Sequence, residues 1–200
     1  MQSTLAKVLY VAGVTAFCTF LGCWAVLAHQ ESSQEPRRSM VSDEQFARNA
    51  AQSGTAEVKL GQLAEEKGAS EAVKQFGQRM VQDHTKANDE LKQAAAKENI
   101  ALPGDLDPKD QATYDALSKL SGTAFDKAYS RNMVKDHQED IAEFNSEANS
   151  GRKSAIQNFA EHTLPTLQDH LRQAREMRQT VAVSSAQKTK VTPSRHSGRR

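Results

Sequence analysis

The sequence predicts an all-α protein: an antiparallel four-helix bundle with a short connecting helix, preceded by an apolar N-terminal helix. Four amphipathic segments of about 25 residues lie between residues 43 and 178, each with apolar side chains at steps of three and four. At 1.5 Å per residue each would be about 37 Å long, which favours a bundle over a packing of short helices. The third observation is an uncharged apolar run over residues 8–28.

The apolar run is 21 residues long, follows Lys7 and ends before a polar stretch. Residues 1–28 are therefore predicted to be a signal peptide or a transmembrane anchor that contacts the membrane through residues 8–28. The length favours an anchor, but cleavage after Ala28 and lipidation at Cys23 are alternatives. In each case the domain that follows is expected in the periplasm, or outside the inner membrane, as part of the cell envelope.

A linker and the first bundle helix follow the apolar run. Residues 29–41 contain Pro36 and few large apolar side chains, which predicts a linker. Residues 42–45 (SDEQ) match a capping box, in which side chains satisfy the free N–H groups at a helix start. The first helix is therefore expected over residues 43–67, where Gly68 ends it.

The second helix is expected to begin at a Ser70 cap and to end near Glu98. Residues 99–106 form a connection. Asp107 and Pro108 then match an N-cap followed by a first-turn proline, and predict a short helix that reaches residue 120.

The third and fourth helices are expected over residues 124–148 and 152–178. Thr123 and Asp126 resemble a second capping box at the start of the third helix. Pro165 lies in the middle of the fourth helix and is predicted to kink or interrupt it, since proline removes one backbone donor.

Charge is distributed unevenly along the chain. Residues 42–178, the predicted domain, carry 18 basic and 23 acidic residues, whereas residues 179–200 carry five basic residues and no acid. An acidic domain is a poor binder of phosphate backbones, so no nucleic acid is expected as a partner. Residues 179–200 lack an apolar period and are predicted to be a disordered basic tail, which could contact an anionic envelope polymer or lipid.

Each apolar stripe is interrupted once by a side chain that can ligate a metal: Glu57, His84, His137 and His170. The first three lie near the middle of their helices, at similar depth, while His170 lies beyond Pro165. Imidazoles and a carboxylate without thiolate suit zinc, iron or another first-row metal. A structural layer of mutually hydrogen-bonded polar side chains is the alternative interpretation.

An aspartate precedes each of the three histidines, at Asp83, Asp136 and Asp169. Adjacent helical residues point about 100° apart, so these aspartates are expected to flank the site or to hold a neighbouring helix. Both cysteines lie in the apolar run, which excludes thiol chemistry from the domain, and no catalytic triad or phosphate-binding loop is present.

Four stretches resemble the bacterial family called domain of unknown function 4142: FARNAAQSGTAEVKLGQLAEEKG, RMVQDHTKANDELK, LSGTAFDKAYSRNMVKDHQEDI and FAEHTLPTLQDHLRQA. The resemblance covers residues 42–177 and implies an exported or outer-membrane protein with a ferritin-like four-helix fold. Ferritin-like di-iron enzymes carry Glu-x-x-His on two helices. Here Val81, Val134 and Leu167 stand three residues before the histidines, which argues against a ferroxidase or di-iron oxygenase.

Two functions are consistent with these observations. The first is a membrane-tethered binding or structural module of the envelope, without catalysis. The second is a metal-storage protein or metal-dependent oxidoreductase that uses Glu57, His84, His137 and His170.

Overall fold

The computed structural model describes residues 35–190, with side chains described for residues 43–187. Five helices and no strand are present in this part of the chain, which confirms the all-α prediction. The helices are α1 (Glu35–Lys67), α2 (Glu71–Lys97), α3 (Pro108–Ser118), α4 (Gly122–Ala148) and α5 (Ala155–Lys190). The described residues from Arg38 onwards form one compact unit.

The four long helices share two apolar clusters, one at each end of the bundle. The upper cluster includes Leu60, Val73, Phe125 and Met177. The lower cluster includes Phe46, Leu91, Phe144 and Ile156. The order in which each helix meets the clusters shows its direction: α1 and α5 run from lower to upper, and α2 and α4 from upper to lower. Helices α2 and α4, which follow one another among the four long helices of the chain, are therefore parallel, and the segment containing α3 carries the chain back from the end of α2 to the start of α4.

Helices α1 and α2 approach each other closely at two glycines. A Cβ atom on Gly61 would lie 2.6 Å from the carbonyl oxygen of Gly77, and a Cβ on Gly77 would lie 2.6 Å from that of Gly61. Because both obstacles are backbone atoms, neither can rotate away. Small residues at these positions set the spacing of the two helices.

The start of α2 is capped by a residue of α4. Ser70 occupies the N-cap position, but its side chain makes no capping hydrogen bond. The buried carboxylate of Asp126 instead accepts hydrogen bonds from the backbone N–H groups of Ala69 at 2.8 Å and Ser70 at 2.9 Å. The predicted capping box at Thr123 and Asp126 is wrong, because α4 begins at Gly122 and Asp126 faces the neighbouring helix.

The short connecting helix begins as predicted. The Asp107 side chain accepts a hydrogen bond from the Asp110 backbone N–H at 2.8 Å, and Pro108 occupies the first helical turn. Its one buried residue, Leu117, packs into the upper cluster.

Two predicted boundaries, the start of the first helix and the end of the fourth long helix, differ from the structure. Helix α1 begins at Glu35, so the predicted linker over residues 29–41 is helical from residue 35 onwards and residues 42–45 lie inside a helix. Backbone N–H groups there are satisfied by the preceding turn and need no capping box. Helix α5 extends to Lys190, so residues 179–190 of the predicted disordered tail are helical, and Val181 is buried in the upper cluster.

Pro165 does not interrupt the fourth long helix. Helix α5 is continuous from Ala155 to Lys190, and Pro165 lies on its exposed side. The carbonyl that would pair with the missing N–H belongs to Glu161, an exposed residue, so water can satisfy it.

The predicted N-terminal helix, residues 8–28, lies outside the described residues. Between Glu35 and Lys190, no helix contains a stretch long and apolar enough to cross a bilayer.

Candidate metal centre

The four predicted site residues meet in one polar layer between the upper and lower clusters. Glu57 from α1, His84 from α2, His137 from α4 and His170 from α5 have exposed fractions of 2%, 5%, 0% and 0%. The three imidazole rings are mutual neighbours, with centroids 5.3 to 5.8 Å apart. His170 joins the layer although it lies beyond Pro165, because α5 stays helical through the proline.

One nitrogen of each ring is held by an oxygen atom. His84 Nδ1 lies 2.8 Å from Glu57 Oε2, His137 Nδ1 lies 2.9 Å from the Met133 carbonyl oxygen, and His170 Nε2 lies 2.8 Å from Asp83 Oδ2. These oxygens are acceptors, so the ring nitrogen that faces each of them donates its N–H, and a ring in the neutral form carries its lone pair on the other nitrogen.

The other nitrogen of each ring is buried and unpaired. His84 Nε2, His137 Nε2 and His170 Nδ1 have no hydrogen-bond partner within the chain. One ring nitrogen from each of the three histidines lies within 4.8 Å of the other two, and among the described residues these three form the group that could hold a metal ion. The arrangement presents three lone-pair donors from three helices.

Glu57 occupies a supporting position in this layer. Its Oε2 accepts from His84, and its Oε1 lies 3.4 Å from His137 Nδ1, so the carboxylate contacts the ring nitrogens that bear hydrogen. Burial raises the pKa of Glu57, but the attraction of His84 and His137 outweighs burial and lowers it. Glu57 therefore places a negative charge beside the layer.

Burial keeps two of the rings neutral. It lowers the pKa of His137, and it lowers the pKa of His170 from 6.5 to about 4 despite the hydrogen bond to Asp83. A neutral imidazole retains the lone pair that a metal ion needs.

Asp83 connects the layer to the surface of the bundle. It also accepts a hydrogen bond from Arg79 Nε at 3.0 Å, and Arg79 Nη2 lies 3.1 Å from Asp169. Burial raises the pKa of Asp83, but its bonds to His170 and Arg79 lower it overall. Asp83 of α2 thus holds a histidine of α5, one of the roles expected for these aspartates.

A second feature, an acidic cleft beside the layer, was missed in the sequence. It lies between α1, the start of α3 and α4, with Glu57 and Asp140 among its lining residues. Ser53 Oγ lies 3.0 Å from Asp140 Oδ1. Burial and the charge of Glu57 raise the pKa of Asp136 to about 7 and that of Asp140 well above its usual range. The signal was the four-residue spacing of Asp136 and Asp140, which puts both carboxylates on one side of α4.

The chain resembles two solved structures in fold. A DUF305 protein of Streptomyces coelicolor, described as a candidate secreted protein, aligns with a TM-score of 0.60 at 12% identity over 70% of this chain and 94% of the other. A DUF305 fragment of Deinococcus radiodurans aligns with a TM-score of 0.58 at 13% identity over 70% and 95%. No curated protein matches the sequence.

The family assignment rests on a match that covers most of the chain. Residues 27–177, which include the four residues of the polar layer and Asp83, match the model of the domain of unknown function DUF4142. The resemblance inferred from the sequence is confirmed, and the chain belongs to the DUF4142 family.

Proposed function

We propose that this protein binds one divalent first-row transition-metal ion through His84, His137 and His170. The observation that carries the proposal is the pairing pattern of the rings: each has one nitrogen held by an oxygen and the other buried without a partner in the chain. Histidines that ligate metals characteristically donate their second N–H to a carboxylate or backbone carbonyl. Glu57, the Met133 carbonyl and Asp83 supply these acceptors.

A purely structural polar layer accounts less well for the three unpaired nitrogens. Buried polar atoms are normally hydrogen-bonded, and an unsatisfied one costs about 1–3 kcal/mol. A group from outside the chain, a metal ion or a water molecule, must therefore meet these atoms. The charge balance favours the ion, because Glu57 and Asp83 would offset its two positive charges.

Zinc and iron are both compatible with the donor set. Nitrogens bound to one zinc ion at about 2.0–2.1 Å lie about 3.4 Å apart in a tetrahedral site. The nitrogens here lie within 4.8 Å, so binding would draw the rings together. Three protein ligands leave a coordination position free, and the bound ion would supply Lewis-acid chemistry there.

The order of the helices supports a ferritin-like assignment for the bundle. One long crossover between parallel helices is the connection found in ferritin-like folds. The donor set differs from that of their di-iron enzymes, because Val81, Val134 and Leu167 replace the glutamates of Glu-x-x-His. We therefore propose a single metal ion and a binding or carrier role, in place of iron oxidation.

For the location, we propose an envelope protein whose residues 8–28 either anchor it in the inner membrane or direct its export. The uncharged run supports this proposal, and one structural neighbour is described as a candidate secreted protein. The mass of the mature N-terminus distinguishes an anchor from cleavage after Ala28 and from lipidation at Cys23. Recovery of the intact chain from the soluble cytoplasmic fraction would contradict the proposal.

The basic C-terminal end supplies a second proposed contact, with an anionic envelope polymer or lipid. Five basic residues and no acid lie within residues 179–200. Because Val181 is part of the core, the test is charge neutralisation by Lys→Gln and Arg→Gln from residue 188 onwards, not deletion. Unchanged sedimentation with vesicles of anionic lipid and with cell-wall polymer would contradict this contact.

Metal analysis of the purified full-length protein tests the metal proposal. After exposure to zinc, iron, copper and manganese and removal of loose metal, we expect one bound ion per chain. His137→Ala and His170→Ala should lose it. The matched control is His162→Ala, since His162 is exposed and its ring hydrogen-bonds to the Asn158 carbonyl of its own helix, outside the polar layer.

The helical content of each variant, measured by circular dichroism, shows whether loss of metal reflects unfolding. A wild-type protein that retains no stoichiometric ion would contradict the proposal and leave the structural polar layer as the explanation. Equal metal content in the wild type and both histidine variants would also contradict it.

A further inference from the structure

The acidic cleft concentrates negative charge next to the buried histidines. It has a volume of about 240 Å³ and is lined by seven carboxyl groups and one lysine, Lys109; because the pKa values of Asp136 and Asp140 are raised, most of the negative charge lies on the other five. Asp107, Asp110, Glu139 and Glu143 lie at its rim, and Glu57 and Asp140 line it deeper in the bundle. Such a concentration of one charge raises the local concentration of counter-ions and the rate at which they arrive.

Two oxygen atoms deep in the cleft are buried and have no hydrogen-bond partner. They are Glu57 Oε1 and Asp140 Oδ2. Glu57 is only 2% exposed, yet it lines the cleft and also contacts His84 and His137. Its carboxylate therefore joins the cleft to the histidine layer.

A small void adjoins the cleft and reaches one of the three histidines, His84. This void of about 20 Å³ is lined by His84, and three residues line both spaces: Ser53, Glu57 and Asp140. The hydrogen bond between Ser53 and Asp140, at 3.0 Å, closes part of the shared wall. The outer cleft and the inner void therefore meet at these three side chains.

The carboxylates of the cleft do not form a second ligand set. Among residues 43–187, the histidine cluster is the group whose donor atoms lie close enough together to hold an ion directly. The cleft is therefore suited to attract a cation that keeps its water shell, as divalent ions do before they dehydrate.

The opposite side of the layer has no comparable charge. The groove between α2 and α5 contains Arg79 and Lys86 as well as Asp83 and Glu90, so its formal charges cancel. A cation approaching the bundle is attracted to the cleft and not to this groove.

We propose that the acidic cleft is the entry route of the metal centre, capturing a hydrated divalent cation at its rim and passing it between Ser53 and Asp140 to the three histidines. This inference rests on the proposed metal function and adds the route and its electrostatic selectivity. Glu57, shared by the cleft, the void and the histidines, is the last carboxylate on the route.

Stopped-flow mixing of the full-length protein with Co²⁺ tests the route, since the absorption of this ion reports imidazole ligation. The rim variant is Glu139→Gln with Glu143→Gln. The matched control is Asp89→Asn with Glu90→Gln, which removes the same charge from exposed, lysine-paired positions of α2. We expect the rim variant to slow association about three- to ten-fold at low salt, while the control changes it less than about two-fold.

Added salt should slow the wild type more than the rim variant, because screening removes the attraction that the variant already lacks. Asp140→Asn, which retains an oxygen for Ser53, should also slow association. If the rim variant bound Co²⁺ as fast as the wild type, or if the control were slowed equally, the proposed route would be overturned. The metal function would still stand in that case, because the protein would bind Co²⁺. Failure of the wild type to bind Co²⁺ would instead contradict the metal function itself.

Discussion

Asp126 of α4 caps the start of α2 through hydrogen bonds to its backbone. Removal of this carboxylate is expected to be among the most destabilising changes outside the histidine layer. Its carboxylate is 3% exposed and accepts two backbone hydrogen bonds, from Ala69 and Ser70. Free N–H groups at a helix start carry partial positive charge, so an anion there also interacts favourably with the helix dipole.

The expected cost follows from these contacts. A hydrogen bond to a charged group contributes about 1.5–3 kcal/mol, and a charge at a helix terminus adds about 0.3–1 kcal/mol. Because both donors are only partly buried and water can replace some of the lost bonding, we expect Asp126→Ala to lower the free energy of unfolding by about 2–4 kcal/mol. Asp126→Asn should lose roughly half as much, since its amide has one acceptor oxygen for two donors.

Urea unfolding followed by circular dichroism measures these differences. Ser70→Ala is the matched control: it occupies the N-cap position, but its hydroxyl makes no capping bond, so we expect a change below about 0.5 kcal/mol. If Ser70→Ala cost as much as Asp126→Ala, or if Asp126→Ala cost less than about 1 kcal/mol, the assignment of the cap to Asp126 would be refuted.

Two further predictions concern packing and protonation. Gly77→Ala should destabilise the protein by about 2 kcal/mol or more, because its Cβ would lie 2.6 Å from the Gly61 carbonyl oxygen. The control is Gly104→Ala, where a Cβ would have no atom within 4 Å. In the same urea assay this substitution should leave the stability nearly unchanged. The metal-free protein should lose stability as the pH falls from 7 to 4. The pKa of His170 is about 6.5 in the unfolded chain and about 4 in the folded chain, so protons bind the unfolded state first. This difference lowers the free energy of unfolding by up to about 3 kcal/mol. Urea midpoints across this range measure the loss, and an equally steep decline in His170→Phe would contradict the assignment to His170.

The buried polar layer was predictable from helical periodicity alone. Glu57, His84, His137 and His170 each replace an apolar residue in an inward stripe near mid-helix, and four such positions must meet once the helices pack side by side. The roles within the layer were not predictable. Whether Glu57 is a ligand or a hydrogen-bond acceptor depends on which ring nitrogen it faces, and that follows from the rotation of α1 against α2.

The predicted helix boundaries were wrong where contacts between residues distant in the sequence determine where a helix ends. Residues 179–190 have the composition of a polar tail, yet α5 continues through them, and Val181 finds an apolar surface in the upper cluster. Pro165 removes one hydrogen bond, but packing on both sides of it holds α5 helical. Local sequence carries no information about those partners.

The sequence by itself determined the number of long helices, the face that each helix buries and the polar residue at the centre of each face. These features depend on the 3.6-residue period of the α-helix, which every helix obeys. Only the tertiary structure decided that α2 and α4 run parallel, that Asp126 caps a neighbouring helix, and that Asp83 holds His170. These features join residues that lie about 50 to 90 positions apart in the chain. Such pairs form because the core brings their helices together, so no local pattern can encode them.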